Sequence, residues 1–594
     1  MRRTAFVVAI GARACICLFG WSAVLSALAS PALLAQAQAP VSPAAPSAGQ
    51  AIEQQLRREE ERARALKQGG APRPDMLQPG GAGKPATAIP VETPCFPLHA
   101  VKLTGADAIR FHWLADAAEP FLGRCVGAAG LRVIAQALDT TLVEAGYVTS
   151  RVTLPQQNLG DGVITFQLHI GRVAEVRATV ADAARPAGHA WGTWRNAVPA
   201  GRGDMLNLRD LEQGIEQMRR LPSQNVVLEL EPGPTADTSV IRLMRQPASL
   251  RERLRGGIAL DNSGTDALGS TQLSGHLAFD NPFGLSDIVS LSASTNVERL
   301  NADHRSQSLA LNYSIPWGYN LFTISRSESR FAQRVQGTTA RFLSSGKSRS
   351  TELRWNRVML RTSAARFGLF AAAGTRRANS FLDDVELIVQ QRRTSQLETG
   401  VNYRQLIGDA SIEFELGYRR GMPWRDAQED LPGAADGGLT LRPAIWGLTA
   451  AFDQPLRIGA APARYLATLR AQHTRDTTLA VDQIAIGCRC TVRGFDGEAV
   501  LLAESGYYLR NDLSMPFDLL ERVDTLAFIG ADFGRVWGPS AVDLIGTRLA
   551  GAAVGVRGKH ADLQFELAMG TPLYKPAGFQ TSRWNLYLSL TYAF

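Results

Sequence analysis

The last eleven residues of the chain, Trp584 to Phe594, alternate strictly between two kinds of side chain. Trp584, Leu586, Leu588, Leu590, Tyr592 and Phe594 fall on one face, and Asn585, Tyr587, Ser589, Thr591 and Ala593 on the other. A strand repeats every two residues, so the segment predicts one apolar and one mostly polar face. About ten such residues cross a bilayer at a tilt. An edge strand of a soluble sheet would alternate in the same way, so other segments must decide. From about Leu254 onward the pattern recurs between turn residues. Val289, Leu291, Ala293 and Val297 oppose Ser290, Ser292, Ser294 and Asn296. Leu309, Leu311, Tyr313 and Ile315 oppose Ser308, Ala310, Asn312 and Ser314. Ile412, Phe414, Leu416 and Tyr418 oppose Glu413, Glu415 and Gly417, and Leu563, Phe565, Leu567 and Met569 oppose Asp562, Gln564 and Glu566. Two glutamates on one inner face are costly in a sandwich core and cheap in a hydrated lumen. Residues 250–594 therefore predict a transmembrane antiparallel β-barrel, with room for about 16 strands.

Ahead of the barrel the period changes. Phe96 to Leu103 alternates loosely as a strand, and Leu131, Ile134, Ala135, Leu138 and Leu142 mark one helix face ending near Gly146. Val148, Ser150, Val152 and Leu154, then Val163 to Ile170, predict two strands and complete a small α/β module over 95–171. Residues 172–247 repeat the plan. Asn207 is a good helix N-cap, with Asp210 placed close to a capping box. Leu208, Leu211, Ile215 and Met218 form the stripe, and Val226 to Leu230 and Val240 to Met244 close the module. Upstream, Ile52 to Lys67 is a charged run of helix formers, polar almost all round, suited to a solvated linker or a water-filled lumen. It lies within a leader and linker over 38–94 rich in Ala, Pro, Ser and Gly.

The N-terminus predicts export. Arg2 and Arg3 precede a mostly apolar Ala14 to Leu34, and Ala35-Gln36-Ala37 fits a small-x-small cleavage site, so residues 1–37 read as a signal peptide rather than an anchor. Cleavage removes Arg2, Arg3 and Arg13 and takes the net charge from +8 to +5, which argues for no nucleic-acid partner. Four cysteines remain, Cys95, Cys125, Cys488 and Cys490. In an oxidising compartment an even count suggests disulfides. A Cys95–Cys125 bridge would contribute about 3–4 kcal/mol by loop closure. Cys488 and Cys490 are one residue apart, so a bridge there would be strained. No histidine cluster accompanies either pair, so no metal site is expected.

Val492-Arg493-Gly494-Phe495 lies between strand-like segments. Downstream, Leu526, Phe528, Gly530, Asp532 and Gly534 share one strand face. If the opposite face meets lipid, Asp532 points into the lumen between two glycines that leave room for another segment. An arginine from a folded-in loop would meet that carboxylate through charge-assisted bonds. The bland alternatives are an exposed loop cation and a solvated lumen acid.

These motifs resemble the transporters of two-partner secretion, the hemolysin secretion/activation family within the BamA-like superfamily. Val492 to Phe495 resembles that superfamily's lumen-loop motif, and Phe528, Asp532 and Gly534 its barrel-wall partner. Asp261-Asn262-Ser263-Gly264, Asp280-Asn281-Pro282-Phe283-Gly284 and Gly506-Tyr507-Tyr508-Leu509-Arg510-Asn511 fit the same pattern, as do Gly146 to Arg151 and Leu208 to Glu212 ahead of the barrel. The resemblance implies two periplasmic POTRA domains, over 95–171 and 172–247, that recognise the secretion domain of an unfolded exoprotein. Edge-strand addition and the grooves beside the POTRA helices, marked by Leu138, Leu142, Leu208, Leu211 and Ile215, are the binding modes it suggests. It implies a plug helix near residues 52–67, an outer-membrane barrel in lipid that the barrel assembly machinery inserts, and an Arg493–Asp532 pair holding the loop in a transport-competent arrangement. It implies no cofactor and no catalysis. The cargo would be a hemolysin, an adhesin or a contact-dependent toxin. The cysteines Cys488 and Cys490 are not a family requirement and would either staple the loop or serve local structure.

An enzyme reading finds no Gly-x-Ser-x-Gly or His-Glu-x-x-His, and Gly83-Lys84 runs into Pro85 rather than a phosphate loop. A BamA-type insertase shares the barrel motifs but usually carries more POTRA modules. A passive porin would not need two modules ahead of its barrel.

Overall fold

The computed structural model describes residues 88–180, 192–246, 248–298, 303–336, 340–517 and 523–594. The expected signal peptide, the helix near 52–67 and most of the first linker lie outside these residues. The first module has a three-stranded sheet in the order Ala100–Thr104, Val163–His169, Arg151–Thr153, the first pair parallel and the second antiparallel. Against it pack the helix Ala128–Glu144 and a 3-10 stretch, Ala108–Phe121, kinked at Phe111. The helix lacks a capping side chain of its own at Gly127. Glu92 supplies one from a distance, accepting from the amides of Gly127, Ala129 and Gly130 at 3.1, 2.8 and 2.6 Å. Those amides, Ala129 foremost, hold the Glu92 carboxyl below its usual range. At the other end Gly146 takes φ +97°, and the Tyr147 amide returns to the Leu142 carbonyl. A disulfide joins Cys95 to Cys125, with Cα atoms 5.3 Å apart.

Two strands are shorter than the alternation predicts. Phe96 to Leu103 is two pieces: Phe96–Pro97 pairs with Cys125–Val126, and Ala100–Thr104 joins the sheet. Pro97 has no amide to continue a ladder. Val148 to Leu154 contributes only Arg151–Thr153, because Tyr147 to Ser150 close a turn and the Ser150 hydroxyl accepts from the Gly171 amide.

The second module has strands in the order Arg172–Val180, Thr238–Arg245, Val226–Pro232, and the helix Leu208–Arg219. Asn207 caps the helix by accepting from the Arg209 amide at 2.8 Å. Asp210 completes no capping box, because its carboxylate accepts from the Tyr319 hydroxyl of a barrel turn.

The barrel closes sixteen antiparallel strands, the last, Asn585–Ala593, pairing with the first, Leu254–Asp261. Outward positions are apolar: Leu311, Ile324, Leu353, Ile529 and Leu588 are all exposed at the barrel's outer surface. Inward positions are polar. Ser292, Asn312, Glu352, Arg354, Glu415 and Arg470 line a cavity of about 1030 Å³ in the lumen.

Candidate functional site: the lumen loop and its wall

Residues 484–503 leave the barrel wall and fold inward as a short hairpin, Ile484–Ile486 against Leu501–Ala503, with a loop between. Its apolar side chains explain why it stays there. Ile484, Ile486, Val492, Phe495 and Leu501 bury against Val536, Leu549 and Phe579 in a cluster of their own, and Phe495 meets Phe579 edge to face at 5.7 Å. This anchor presents Arg493 to the strand Asp524–Trp537. Arg493 and Asp532 are 4% and 3% exposed. Its Nε donates to Asp532 Oδ2 at 2.7 Å, its Nη2 to Oδ1 at 2.7 Å, and its backbone amide to Oδ2 at 2.9 Å. A guanidinium fork and a carboxylate match in this bidentate way, and burial makes the match matter.

The alternating strand face is a mould for the loop. A Cβ on Gly530 would collide with the Arg493 guanidinium, and one on Gly534 would meet Ile486 and Val492 at 2.8 and 3.0 Å. Phe528 packs with Ala568 and Tyr587 on the same wall. It stacks under Arg557 at 3.9 Å, and Arg557 bridges Glu566 at 2.7 Å and Asp512 at 3.6 Å. Gly494 takes φ +103° and packs against the Thr571 backbone.

Three partners were not legible beforehand. Asp512 accepts from Arg493 Nη1 at 2.6 Å. Tyr587 on the last strand accepts from the Gly494 amide at 2.8 Å and donates to the Phe495 carbonyl at 3.0 Å. Asn585 Nδ2 donates to the Gly494 carbonyl at 2.7 Å. Asp512 follows the motif ending at Asn511, and shares a face with Arg510 and Tyr508. Tyr587 was visible as the one aromatic on the polar face of the terminal strand. Cys488 and Cys490 form a disulfide at the head of this loop, so the short spacing does not prevent the bridge.

The POTRA helix positions sit elsewhere. Leu138, Leu142, Leu208, Leu211 and Ile215 are all buried, and Leu138, Leu142 and Leu211 belong to the cores of their modules. An amphipathic stripe marks the face a helix buries, and here that is its own sheet. On the second helix the polar face is covered as well. Arg209, Glu212, Gln213 and Gln217 are 2–6% exposed because the helix lies on barrel turns. Gln217 Nε2 donates to the Gly318 carbonyl at 3.2 Å, and Arg361 Nη1 donates to Gln213 at 3.0 Å and to Glu216 at 2.5 Å. Arg366 also pairs with Glu216. The Asp280 to Gly284 turn belongs to the same contact: the Thr193 amide donates to the Gly284 carbonyl at 2.7 Å, and Asn196 Nδ2 to the Leu285 carbonyl at 2.6 Å.

Known proteins resemble this chain in sequence and in fold. Residues 237–558 match the family "Haemolysin secretion/activation protein ShlB/FhaC/HecB", residues 96–171 match "POTRA domain, ShlB-type", and residues 175–232 match "POTRA domain". The outer membrane transporter CdiB-2 of Burkholderia pseudomallei is 34% identical over 96% of this chain and 99% of its own. The hemolysin transporter protein ShlB of Serratia marcescens is 27% identical over 76% and 77%. The solved structure of CdiB from Escherichia coli superposes with a TM-score of 0.75 at 28% identity, covering 94% of this chain and all of that one. The chain therefore belongs to the ShlB/FhaC/HecB haemolysin secretion/activation family, the non-enzymatic outer-membrane transporters of two-partner secretion.

Proposed function

We propose that the protein binds the secretion domain of an unfolded partner exoprotein in the periplasm and conducts that chain through its own lumen to the cell surface. The observation that carries this reading is the polar lumen beside a loop seated on the wall by non-covalent bonds. A lining rich in polar and charged side chains offers an extended polypeptide exchangeable hydrogen bonds. The Arg493–Asp532 pair holds the loop against the wall and keeps the passage in its transport-competent shape. Capture by the POTRA modules is best served by sheet edges. Among the described residues Arg151–Thr153 and Val226–Pro232 each pair on one side only, so an extended cargo segment can add to either. The helix grooves are less suited, since the second helix is docked on the barrel. The cargo is of the hemolysin, adhesin or contact-dependent toxin type. The outward apolar band meets outer-membrane lipid, and the barrel assembly machinery inserts the barrel.

The test is secretion of the cargo's N-terminal domain by cells carrying the intact protein, an Arg493→Ala variant, or neither, with outer-membrane levels compared. Cargo in the medium only with the intact protein, and reduced with an inserted variant, supports the reading. Equal cargo in all three, with defects in other barrel proteins on deletion, would favour an insertase instead.

A further inference from the structure

The loop is tied to a second place that the Arg493–Asp532 pair does not explain. The bridged cysteines Cys488 and Cys490 close a ring around a single residue, Arg489. That ring is fixed on both sides. The Cys488 carbonyl accepts from the amides of Thr491 and Val492 at 3.0 and 3.1 Å, and the Cys490 carbonyl accepts from Arg510 Nη1 at 3.0 Å. Arg489 is thereby aimed at the junction of the first and last strands. Its Nη1 donates to Asn262 Oδ1 at 3.1 Å and to the Leu588 carbonyl at 3.3 Å, and its guanidinium lies 5.5 Å from the centre of the Tyr587 ring.

This junction is the weakest ladder in its neighbourhood. The closing strands share five residue pairs, from Ser589↔Asp261 to Ala593↔Gly257, whereas each makes eight with its other neighbour. Beyond Asp261 the Asn262 amide makes one more backbone bond, to the Leu588 carbonyl at 3.3 Å, and its side chain then takes over from the ladder. Its Nδ2 donates to the Leu586 carbonyl at 2.7 Å, and its Oδ1 accepts from the Leu588 amide at 2.8 Å. Arg489 donates to that same Oδ1 from the loop, and Glu498 reaches across to accept from the Asp266 amide at 2.8 Å.

We propose that Arg489, presented by the Cys488–Cys490 ring, is a clasp that couples the seating of the lumen loop to closure of the barrel seam. It is a positioning residue that acts through Asn262 and the last strand. A three-residue ring leaves the arginine few conformations to lose on engaging both acceptors, and one nitrogen, Nη1, serves the two oxygens. When the loop leaves the wall, the seam loses this support at the end remote from the POTRA modules. The clasp rests on the reading of the loop as a transport element, but its test contains no cargo, so failure of export and failure of the clasp are separate results.

The experiment is hydrogen exchange by mass spectrometry on the purified full-length protein, with Arg489→Gln and Cys488→Ser/Cys490→Ser beside wild type, each checked for a folded barrel by heat-modifiable migration. The segment 584–592 is expected to exchange about tenfold faster in both variants, the change that losing one charge-assisted hydrogen bond produces. The strand Arg341–Arg361 is expected to stay unchanged, and Arg489→Lys to restore part of the protection. Unchanged exchange at 584–592 in a folded barrel would overturn the clasp, as would a rise shared equally by every strand. An effect in Arg489→Gln with none in the cysteine variant would overturn the part assigned to the bridge.

Discussion

Gly551→Ala tests how closely the loop must approach the wall. Gly551 lies directly opposite Asp532 on the neighbouring strand, Arg548–His560. A Cβ there would fall well inside contact distance of the Arg493 carbonyl oxygen and 2.9 Å from its carbon. Real Cβ atoms keep at least 3.0 Å from such backbone atoms, and a strand in a closed sheet has little freedom to retreat. The loop backbone must therefore lift by roughly 1 Å, which a dispersion contact tolerates poorly and a hydrogen bond worse. The bonds from Arg493 to Asp532 are 2.7–2.9 Å and would stretch out of range together. Breaking a buried pair costs about 3–5 kcal/mol, so the equilibrium constant for seating the loop should fall by roughly two to three and a half decades. The assay is hydrogen exchange of residues 488–498 in a barrel whose folding is verified by gel migration. Gly447→Ala is the control, because nothing lies within 4 Å of its added Cβ. Exchange in Gly551→Ala equal to wild type would refute the view that the glycine wall seats the loop.

Tyr587→Phe keeps the ring and removes the hydroxyl that pairs with Gly494 and Phe495, leaving a buried amide unsatisfied at about 1–3 kcal/mol. The Gly494 amide should exchange about tenfold faster or more, with secretion reduced less than by loss of Arg493. At the POTRA contact, burial pushes the Glu216 carboxyl up, but Arg366 and Arg361 outweigh it and hold it below its usual range. A depressed carboxyl contributes docking stability that is present above the ordinary glutamate value and lost as pH falls through its lowered one. Asp210 opposes this. Burial raises its pKa, so its ionisation costs docking and acidification relieves that cost. Glu216→Gln should remove the acid-side loss, read as the pH dependence of exchange in the helix Leu208–Arg219. Cys95→Ser/Cys125→Ser should cost the first module about 3–4 kcal/mol, measured as denaturant midpoint, with the barrel unaffected.

The barrel was legible because lipid on one face and water on the other impose a period of two, as in Trp584 to Phe594. The glycines flanking the acid on one strand face left the pairing of Arg493 with Asp532 open, and the resemblance of both segments to the family's motifs made it specific. Asp512, Asn585 and Tyr587 were not legible, since they sit on strands 19 and 91–93 positions beyond the loop residues they meet, and strand pairing rather than local pattern brings them there. Periodicity located the POTRA helices and their buried faces, but a stripe signals burial without saying against what, so it could not show how a cargo would meet them. The burial of Glu212, Gln213 and Gln217 could not be read at all. These are ordinary solvent-facing residues until a second domain covers them, and the covering turns lie more than a hundred residues downstream.

The proposed route takes the cargo inside the barrel, and two adjacent residues separate inside from outside. Asn312 lines the lumen and Leu311 faces outward on the same strand, Arg305–Trp317. A photo-crosslinking amino acid at each position, in cells arrested during secretion of the partner exoprotein, reads the route directly. Capture of the exoprotein from position 312 and not from 311 is the predicted result. Capture from 311 alone, or from neither while secretion proceeds, would contradict passage through the lumen.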